Sequence, residues 1–405
     1  MARVDRVAPL EDDWREAIDA VANARSWPGS RDVARLGAAV ARLSAAYNDP
    51  ARASARARDS GAARLGFSFA RDVPKGAAAV RELVACGALE TGGSEPLRVL
   101  DLGAGLGATT WGLARALEAV GSSRPIDATL IDPDAQALDV AMAIVRARAA
   151  RGGRVDLRVR TVAQPVTADF APGGARFDVV LVGQLLSELD VGVPDDARVA
   201  RHTDLIHGWL DTRLDKRGAL VVVEPALRDR TRHLHRVRDA LLARGASVFA
   251  PCLHGAPCPA LALESDWCHE DLDVDLPGWL VPVAKAAGLR HQGLTFSYLV
   301  LRAPASGGDR LVNHLVVAPP GAARVRLVSN IVRTKGKREA FLCGEFAGQA
   351  DGRARAVRLD RDASPTNAAW PELRRGDLVV LAPALELDRP RVGAESHVLR
   401  VEPKP

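Results

Sequence analysis

The sequence predicts an α/β protein in which a Rossmann-like domain lies between an N-terminal helical region and a small C-terminal β domain. From Leu97 onward, short apolar runs alternate with amphipathic segments, as in a parallel sheet with crossover helices. The runs are residues 97–103, 127–133, 155–160, 177–183 and 219–225, and helical segments include 109–120 and 135–149. Beyond residue 303, apolar and polar residues alternate as in half-buried strands. We therefore predict three regions: 1–92, 93–303 with a cysteine-rich insertion at about 250–270, and 304–405.

The N-terminal region contains a sustained amphipathic pattern. Apolar side chains recur at alternating spacings of three and four residues through Val33, Leu36, Val40, Leu43 and Tyr47. This spacing predicts one buried helix face. Four arginines follow among small residues, namely Arg52, Arg56, Arg58 and Arg64. Both a solvated helix face and a surface for RNA phosphates fit this arrangement.

Composition is that of an ordinary globular protein. Of 405 residues, 47% are hydrophobic and 26% are charged, which excludes wholesale disorder and collagen-like sequence. No run of about 18 uncharged apolar residues occurs, so we expect no membrane span. Acidic residues interrupt the N-terminus before an apolar signal segment could form, so we expect a cytoplasmic protein. The net charge of +5 permits an RNA or ribosome partner without requiring one.

A glycine-rich turn follows the first predicted strand. Gly103, Gly105 and Gly107 stand in VLDLGAGLGATT, where glycine permits a tight turn and close approach of backbone amides to a ligand. Asp132 ends the next strand, where a carboxylate can accept both ribose hydroxyls of an adenosine-containing cofactor. Asp101 resembles the acidic residue of motif I in class I S-adenosylmethionine-dependent methyltransferases. We therefore favour S-adenosylmethionine over NAD as the cofactor.

The ends of the fourth and fifth predicted strands contain no familiar methyl-transfer motif. The chain reads Gly183 and Gln184 after the fourth strand and Glu224 and Pro225 after the fifth, with neither Asn-Pro-Pro-Tyr nor cysteine there. The sequence therefore assigns no catalytic residue. We count Gln184 among the candidates for binding the cofactor, with a structural role as the alternative.

Four of the five cysteines form a pattern typical of metal ligands. Cys252, Cys258 and Cys268 lie in a loop rich in Pro and Gly, and Cys343 follows far downstream. Closely spaced thiols in such a loop indicate a soft metal. Three interpretations stay open on the residues alone: an iron–sulfur cluster, zinc with a histidine as substitute ligand, or free thiols.

The C-terminal region carries a cluster of basic residues. They are Arg324, Arg326, Arg333, Lys335, Lys337 and Arg338. The segment TKGK over 334–337 predicts a hairpin turn that projects two of only six lysines in the chain. A small β barrel resembling an OB-fold would present such a hairpin to an RNA backbone. An edge strand guarded by charge is the alternative.

Several longer motifs resemble one known family. They are GFSFARDVPKGA (66–77), DLGAGLG, QLLSELD, VVVEPALRDRTRHLHRVRD, the PC…PCP…DWCH segment, FSYLVLR and RLVSNIVRTKGKREAFLCG. Together they are similar to the methyltransferase-like small-ribosomal-subunit proteins of bacteria and mitochondria, whose mitochondrial members assist assembly of the small subunit. The resemblance runs from about residue 60 to about residue 390.

The resemblance implies a class I methyltransferase fold that binds S-adenosylmethionine. It also implies a four-iron four-sulfur cluster held by Cys252, Cys258, Cys268 and Cys343, and docking on 16S-type rRNA during maturation of the small subunit. We therefore expect a small-subunit rRNA methyltransferase-like assembly factor that is a monomer off the ribosome. The alternatives are a non-catalytic ribosome-binding checkpoint that reports iron or redox status, and a small-molecule methyltransferase with structural zinc.

Overall fold

The chain folds as two compact units built from interleaved segments. A computed structural model describes residues 7–48, 60–152, 155–167, 174–303 and 308–402. Three of the predicted basic residues, Arg52, Arg56 and Arg58, lie outside these ranges. The first unit contains Met1–Arg81, Thr91–Leu185 and Asp273–Leu294, and the second contains Glu82–Glu90, Leu186–Leu272 and Thr295–Pro405. The three-region division predicted from the sequence follows composition and stays a prediction.

Helices form where the sequence has an apolar stripe. They are α1 (Asp12–Asn23), α2 (Val33–Asn48), α3 (Gly61–Ala63) with a π-helical continuation (Arg64–Phe69), α4 (Ala70–Ala85), α5 (Ala108–Ala119), α6 (Ala135–Ala149), α7 (Asp195–Thr212), α8 (Arg228–Ala243) and α9 (Val281–Ala286). The predicted face of α2 is confirmed, because Leu36, Val40 and Leu43 are buried. No helix within the described ranges is both long and apolar enough to cross a membrane.

The first unit contains four parallel strands. They are β1 (Leu97–Leu102), β2 (Ile126–Asp132), β3 (Leu157–Ala163) and β4 (Phe177–Gly183). Their order is β3-β2-β1-β4, and Leu100 of β1 pairs with Thr129 of β2 and with Val180 of β4. The apolar runs of the sequence predicted all four. This order brings the carboxyl ends of β1, β2 and β4 to one edge of the sheet, where ligands bind in such folds.

The second unit contains a group of strands that pair in antiparallel fashion. Its strands here are β5 (Leu214–Glu224), β6 (Ser247–Ala250), β7 (Glu270–Leu272) and β8 (Leu294–Arg302). Strand β8 lies between β5 and β6 and is antiparallel to both. The periodicity of the sequence predicted a parallel arrangement only, so the antiparallel β8 is an addition to it.

The C-terminal part of the second unit is an antiparallel β half-barrel, which confirms the predicted small β domain. Its strands are β9 (Ala323–Leu327), β10 (Val332–Thr334), β11 (Lys337–Phe346), β12 (Gln349–Leu359), β13 (Leu378–Ala382) and β14 (His397–Val401). Their order is β10-β11-β9-β13-β14, and β12 also pairs with β11. Leu327, Leu342 and Trp370 are fully buried in its core.

Candidate cofactor and metal sites

The glycine-rich turn between β1 and α5 needs its glycines for backbone geometry. Gly103, Gly105 and Gly107 have φ values of 68°, 52° and 77°, a region that side chains with a Cβ rarely adopt. The amides of Gly103 and Ala104 donate to the carbonyl oxygen of Ile131 at 2.9 and 3.0 Å. The turn is therefore fixed against the end of β2.

Asp132 at the end of β2 contacts the same turn. Its Oδ2 accepts a hydrogen bond from the Gly105 amide at 2.8 Å, and its Oδ1 accepts one from the Asp134 amide at 2.9 Å. Asp134 in turn caps α6 by accepting from the Ala137 amide at 3.0 Å, and it pairs with Arg64 at 2.8 Å. The structure thus brings the predicted ribose-binding carboxylate and the glycine turn into direct contact.

Asp101 has a buried carboxyl group, and one of its two oxygens has no hydrogen-bond partner among the described residues. Asp101 is 1% exposed, and its Oδ2 accepts a hydrogen bond from the Thr110 hydroxyl at 2.7 Å. No described residue bonds to Oδ1. Burial, together with the nearby charge of Asp132, raises the pKa of Asp101 to about 7 although the Thr110 hydrogen bond opposes the shift. A buried acceptor without a partner is costly, so this oxygen can receive a donor or cation from a ligand.

Gln184 joins a buried ion pair that the sequence reasoning missed. Its φ of 57° is uncommon for a residue with a Cβ, and its side chain donates a hydrogen bond to Asp72. Asp72 pairs with Lys75 at 2.8 Å on α4. Burial works to raise the pKa of Asp72, but the charges of Lys75 and Arg71 outweigh it and hold this pKa at about 2. The signal was the charged cluster within the motif GFSFARDVPKGA.

In the second unit, Glu224 at the end of β5 supports the loop that begins at Leu186. Its two carboxylate oxygens accept from the amides of Leu186 at 2.9 Å and Ser187 at 3.2 Å. Arg198 donates to the carbonyl oxygen of Leu186 at 2.7 Å. Burial raises the pKa of Glu224 to about 7, against the effect of these hydrogen bonds. The contacts give Glu224 a structural role in holding the loop.

The four cysteines singled out in the sequence lie in the second unit and interact electrostatically. Cys343 on β11 is affected by the charges of Cys268, Cys252 and Cys258. All four side chains are partly buried. Burial first, and then the charges of Cys252 and Cys268, raise the pKa of Cys258 to about 12. The fold therefore brings Cys343 into the neighbourhood of the three loop cysteines.

Guanidinium groups hold the backbone of the cysteine loop. Arg238 donates to the carbonyl oxygen of His254 at 2.9 Å, and Arg232 donates to that of Asp266 at 2.7 Å. The Nε2 atom of His254 lies 3.5 Å from the Sγ atom of Cys343. Among the described residues, no group of three or more His, Cys, Asp or Glu side chains is arranged so that it could hold a metal ion.

Two of the arginines predicted to bind RNA are tied into the second unit. Arg324 donates to Glu345 through its backbone amide at 2.7 Å and through its side chain at 3.1 Å. Arg326 is 4% exposed, pairs with Glu82 at 2.7 Å and donates to the carbonyl oxygen of Gly376 at 2.9 Å. Each of the two guanidinium groups is therefore paired with a carboxylate of the second unit.

The other basic residues lie on or beside the predicted hairpin, which β10 and β11 form with Lys335 at its turn. Lys337 and Arg338 each pair with a nearby carboxylate. Arg333 and Lys335 are exposed and have no carboxylate partner in the part of the chain that the structure describes. The free positive charge of this region is therefore concentrated at the tip of the hairpin.

These features define a class of protein. The chain has the features of a class I methyltransferase-like protein. They are a glycine turn after β1, acidic residues on β1 and β2, the strand order β3-β2-β1-β4 and an antiparallel strand between β5 and β6. The family described as mitochondrial small ribosomal subunit Rsm22 matches residues 69–358. The chain belongs to this family, which confirms the resemblance expected from the sequence motifs. No curated protein matches the chain.

Solved structures of methyltransferases are similar at low identity. The plantazolicin methyltransferase BpumL in complex with SAH is 11% identical, with 67% of this chain and 98% of that chain covered and a TM-score of 0.34. A protein described as a class I S-adenosylmethionine-dependent methyltransferase from Listeria monocytogenes is 12% identical, with 72% of this chain and 87% of that chain covered and a TM-score of 0.36. Precorrin-6y C5,15-methyltransferase from Geobacter metallireducens is 14% identical, with 55% of this chain and 86% of that chain covered and a TM-score of 0.29. The fold assignment rests on the strand order and not on these weak likenesses.

Proposed function

We propose that the protein is a small-ribosomal-subunit rRNA methyltransferase-like assembly factor that binds S-adenosylmethionine in its first unit. The observation that carries this proposal is the buried carboxyl of Asp101, whose Oδ1 has no partner among the described residues, beside a glycine turn in contact with Asp132. Membership of a family described by the small ribosomal subunit supports the choice of partner.

The residues of the first unit fit S-adenosylmethionine. Asp132 would accept the ribose hydroxyls, and the amides of the turn at Gly103 and Gly105 would allow the cofactor close approach. Asp101 would receive the ammonium group of the methionine end, and Gln184 would line the pocket. The cofactor supplies an electrophilic methyl group on a sulfonium, so methyl transfer would depend mainly on alignment of the acceptor.

Calorimetric titration with S-adenosylhomocysteine tests the cofactor site. We expect the wild-type protein to bind and Asp132→Ala to bind at least about tenfold more weakly, because the variant cannot form the charge-assisted hydrogen bond to the ligand. Asp127→Ala is the matched control, because Asp127 is an exposed aspartate on the same strand. A wild-type protein that does not bind, or equal affinity in the two variants, contradicts the proposal.

We also propose that Cys252, Cys258, Cys268 and Cys343 hold a four-iron four-sulfur cluster, with zinc as the alternative occupant. The chemistry of the donors supports this proposal, because four thiols from separate segments lie within electrostatic reach of one another and cluster ligands can come from distant segments. Arg353 and the other nearby guanidinium groups would offset thiolate charge. The cluster would be a structural element of the second unit.

Iron, sulfide and zinc analysis of anaerobically purified protein, with a visible absorption spectrum, tests the metal proposal. We expect about four irons and four sulfides per chain. Cys343→Ser should lose iron, whereas Cys86→Ser should keep it, because Cys86 is a buried core thiol bonded to the carbonyl oxygen of Leu83. Stoichiometric zinc without iron would establish the alternative occupant, and unchanged iron in Cys343→Ser would refute four-cysteine ligation.

Association with the small subunit is tested by cosedimentation with purified small subunits, and purified large subunits are the control. We propose that Arg333 and Lys335 at the hairpin tip contact rRNA phosphates, because these exposed cations are free of carboxylate partners among the residues described. Radiolabelled S-adenosylmethionine in the same mixture separates the catalytic from the non-catalytic form of the proposal. Equal cosedimentation with both subunits would contradict the assignment of the partner.

A further inference from the structure

The first unit contains a cavity beside the proposed cofactor site. Its volume is about 400 Å³, within the range of small-molecule sites. Its walls come from the segment after α1, from α2, and from the first residues of α3 and α6. Asp134 lines the cavity, and its amide bonds to Asp132. A molecule in this cavity would therefore lie next to the turn that the cofactor is proposed to occupy.

Three guanidinium groups make the cavity positive. Arg35 and Arg42 stand seven residues apart on α2, on the same helix face, with small alanines between them. Arg64 is neutralised by Asp134 at 2.8 Å, and Arg35 contacts Asp32 at 3.3 Å. Arg42 is exposed and has no carboxylate partner within the described ranges. At least one full positive charge is thus available to an anion.

A serine whose hydroxyl has no partner among the described residues also lines this cavity. Ser60 lines it, is 7% exposed, and makes no side-chain hydrogen bond to any residue that the structure describes. The hydroxyl oxygen of Ser60 is not fully enclosed, so it can form a hydrogen bond to a molecule in the cavity. Trp27 lines the cavity, and the edge of its ring packs so closely on Gly61 that a Cβ there would lie 2.5 Å from the ring.

We propose that this cavity binds one nucleotide of a single-stranded RNA segment. Arg42, with Arg35, contacts the phosphate, because a guanidinium group matches phosphate oxygens in geometry and charge. Trp27 packs against the base, and Ser60 hydrogen-bonds to its sugar or its edge. The inference rests on the proposed function, which supplies the RNA. A free nucleotide has the same chemistry and is the other source to be tested.

Fluorescence anisotropy with a labelled single-stranded RNA octamer of mixed sequence tests the inference on the full chain. We expect Arg42→Ala to weaken binding about three- to tenfold and the double variant Arg35→Ala/Arg42→Ala to weaken it further. The slope of log affinity against log salt should fall by about 0.7 for each phosphate that the variant no longer neutralises. Arg31→Ala is the control, because Arg31 is an exposed arginine before α2 that does not line the cavity. Equal affinities of the double variant and the control overturn the inference.

Two further measurements separate this inference from the proposed function. Calorimetry with S-adenosylhomocysteine should give the same affinity for wild type and Arg35→Ala/Arg42→Ala; a parallel loss would assign the cavity to the cofactor site and overturn the inference. Adenosine monophosphate that binds tightly and depends on Arg42, without RNA binding that does, would overturn the assignment to a strand. A wild-type protein that binds neither the octamer nor small subunits refutes the proposed function itself.

Discussion

Replacing Asp101 by Asn should stabilise the first unit and weaken cofactor binding. Burial raises the pKa of this carboxyl from an ordinary value of 3.8 to about 7. The folded state therefore holds the proton more tightly than the unfolded chain does, so native stability falls as the pH rises between these two values. Asn keeps an oxygen that can accept from Thr110 and removes the ionisation. The gain in stability should thus appear at high pH and be small at low pH.

The expected size follows from the shift in pKa. Each pKa unit corresponds to about 1.4 kcal/mol, so the full penalty is about 4 kcal/mol once the pH exceeds 7. At pH 5 only about 1.5 kcal/mol of it is present, because this pH lies little more than one unit above the pKa of the unfolded chain. Between pH 5 and pH 8 the wild type should therefore lose about 2.5 kcal/mol relative to Asp101→Asn. In a domain of about 200 residues this corresponds to roughly 5–10 °C in Tm.

Thermal unfolding of the cofactor-free protein at pH 5, 6, 7 and 8 measures this effect. The difference in Tm between Asp101→Asn and wild type should widen steadily with pH. At pH 8 the variant should bind S-adenosylhomocysteine at least about tenfold more weakly, because it lacks the carboxylate for the ammonium group. Asp127→Asn controls for the removal of one exposed carboxylate. Melting curves that shift in parallel at every pH would refute the argument from burial.

Three other substitutions test the remaining contacts. Gly103→Ala should cost about 1–3 kcal/mol in urea unfolding, because φ is 68° and the new Cβ would lie 2.7 Å from Leu185; unchanged stability would show that the turn relaxes freely. Arg333→Ala/Lys335→Ala should weaken small-subunit binding and lower its salt slope by about one to two, and an unaltered slope would remove the hairpin from the interface. Glu224→Gln should speed amide hydrogen exchange at Leu186 or Ser187, since one side-chain amide cannot accept from both backbone amides as a carboxylate does. Global stability at pH 8 should not fall, because the variant removes an ionisation that burial disfavours; unaltered exchange at both amides would refute the role of these contacts.

Local signals account for the parts of the fold that the sequence predicted. The apolar run 177–183 coincides with β4, and the helical segment 135–149 coincides with α6, whose start is fixed by the Asp134 cap. The antiparallel direction of β8 was not predicted, because apolar content is the same for either direction and tertiary partners decide it. The sequence therefore predicted the position of individual helices and strands, whereas it did not predict how distant strands pair.

In the candidate site, too, the residues set by local sequence were predictable and the contacts between distant segments were not. Three glycines were predictable because a tight turn with positive φ requires glycine at those positions, and Asp132 was predictable from its place at the end of a strand. The contact of Gln184 with Asp72 was not predictable, because the two residues are far apart in the chain and the charged cluster around Asp72 indicates only one of the two partners. A hydrogen bond of this kind can be recognised only when the fold brings its two distant residues together.

Arginine shows most clearly why composition could not locate the RNA surface. The chain has 55 basic residues of which only six are lysines, so a cluster of arginines is expected by chance. Arg326, predicted to bind RNA, is instead buried against Glu82. Arg42 stood out in no sequence motif, yet it lines a cavity and has no carboxylate partner within the described ranges. A guanidinium buried against a carboxylate, as in Arg326, has little to gain from a phosphate, so exposure without such a buried partner identifies the binding cations better than their density along the chain.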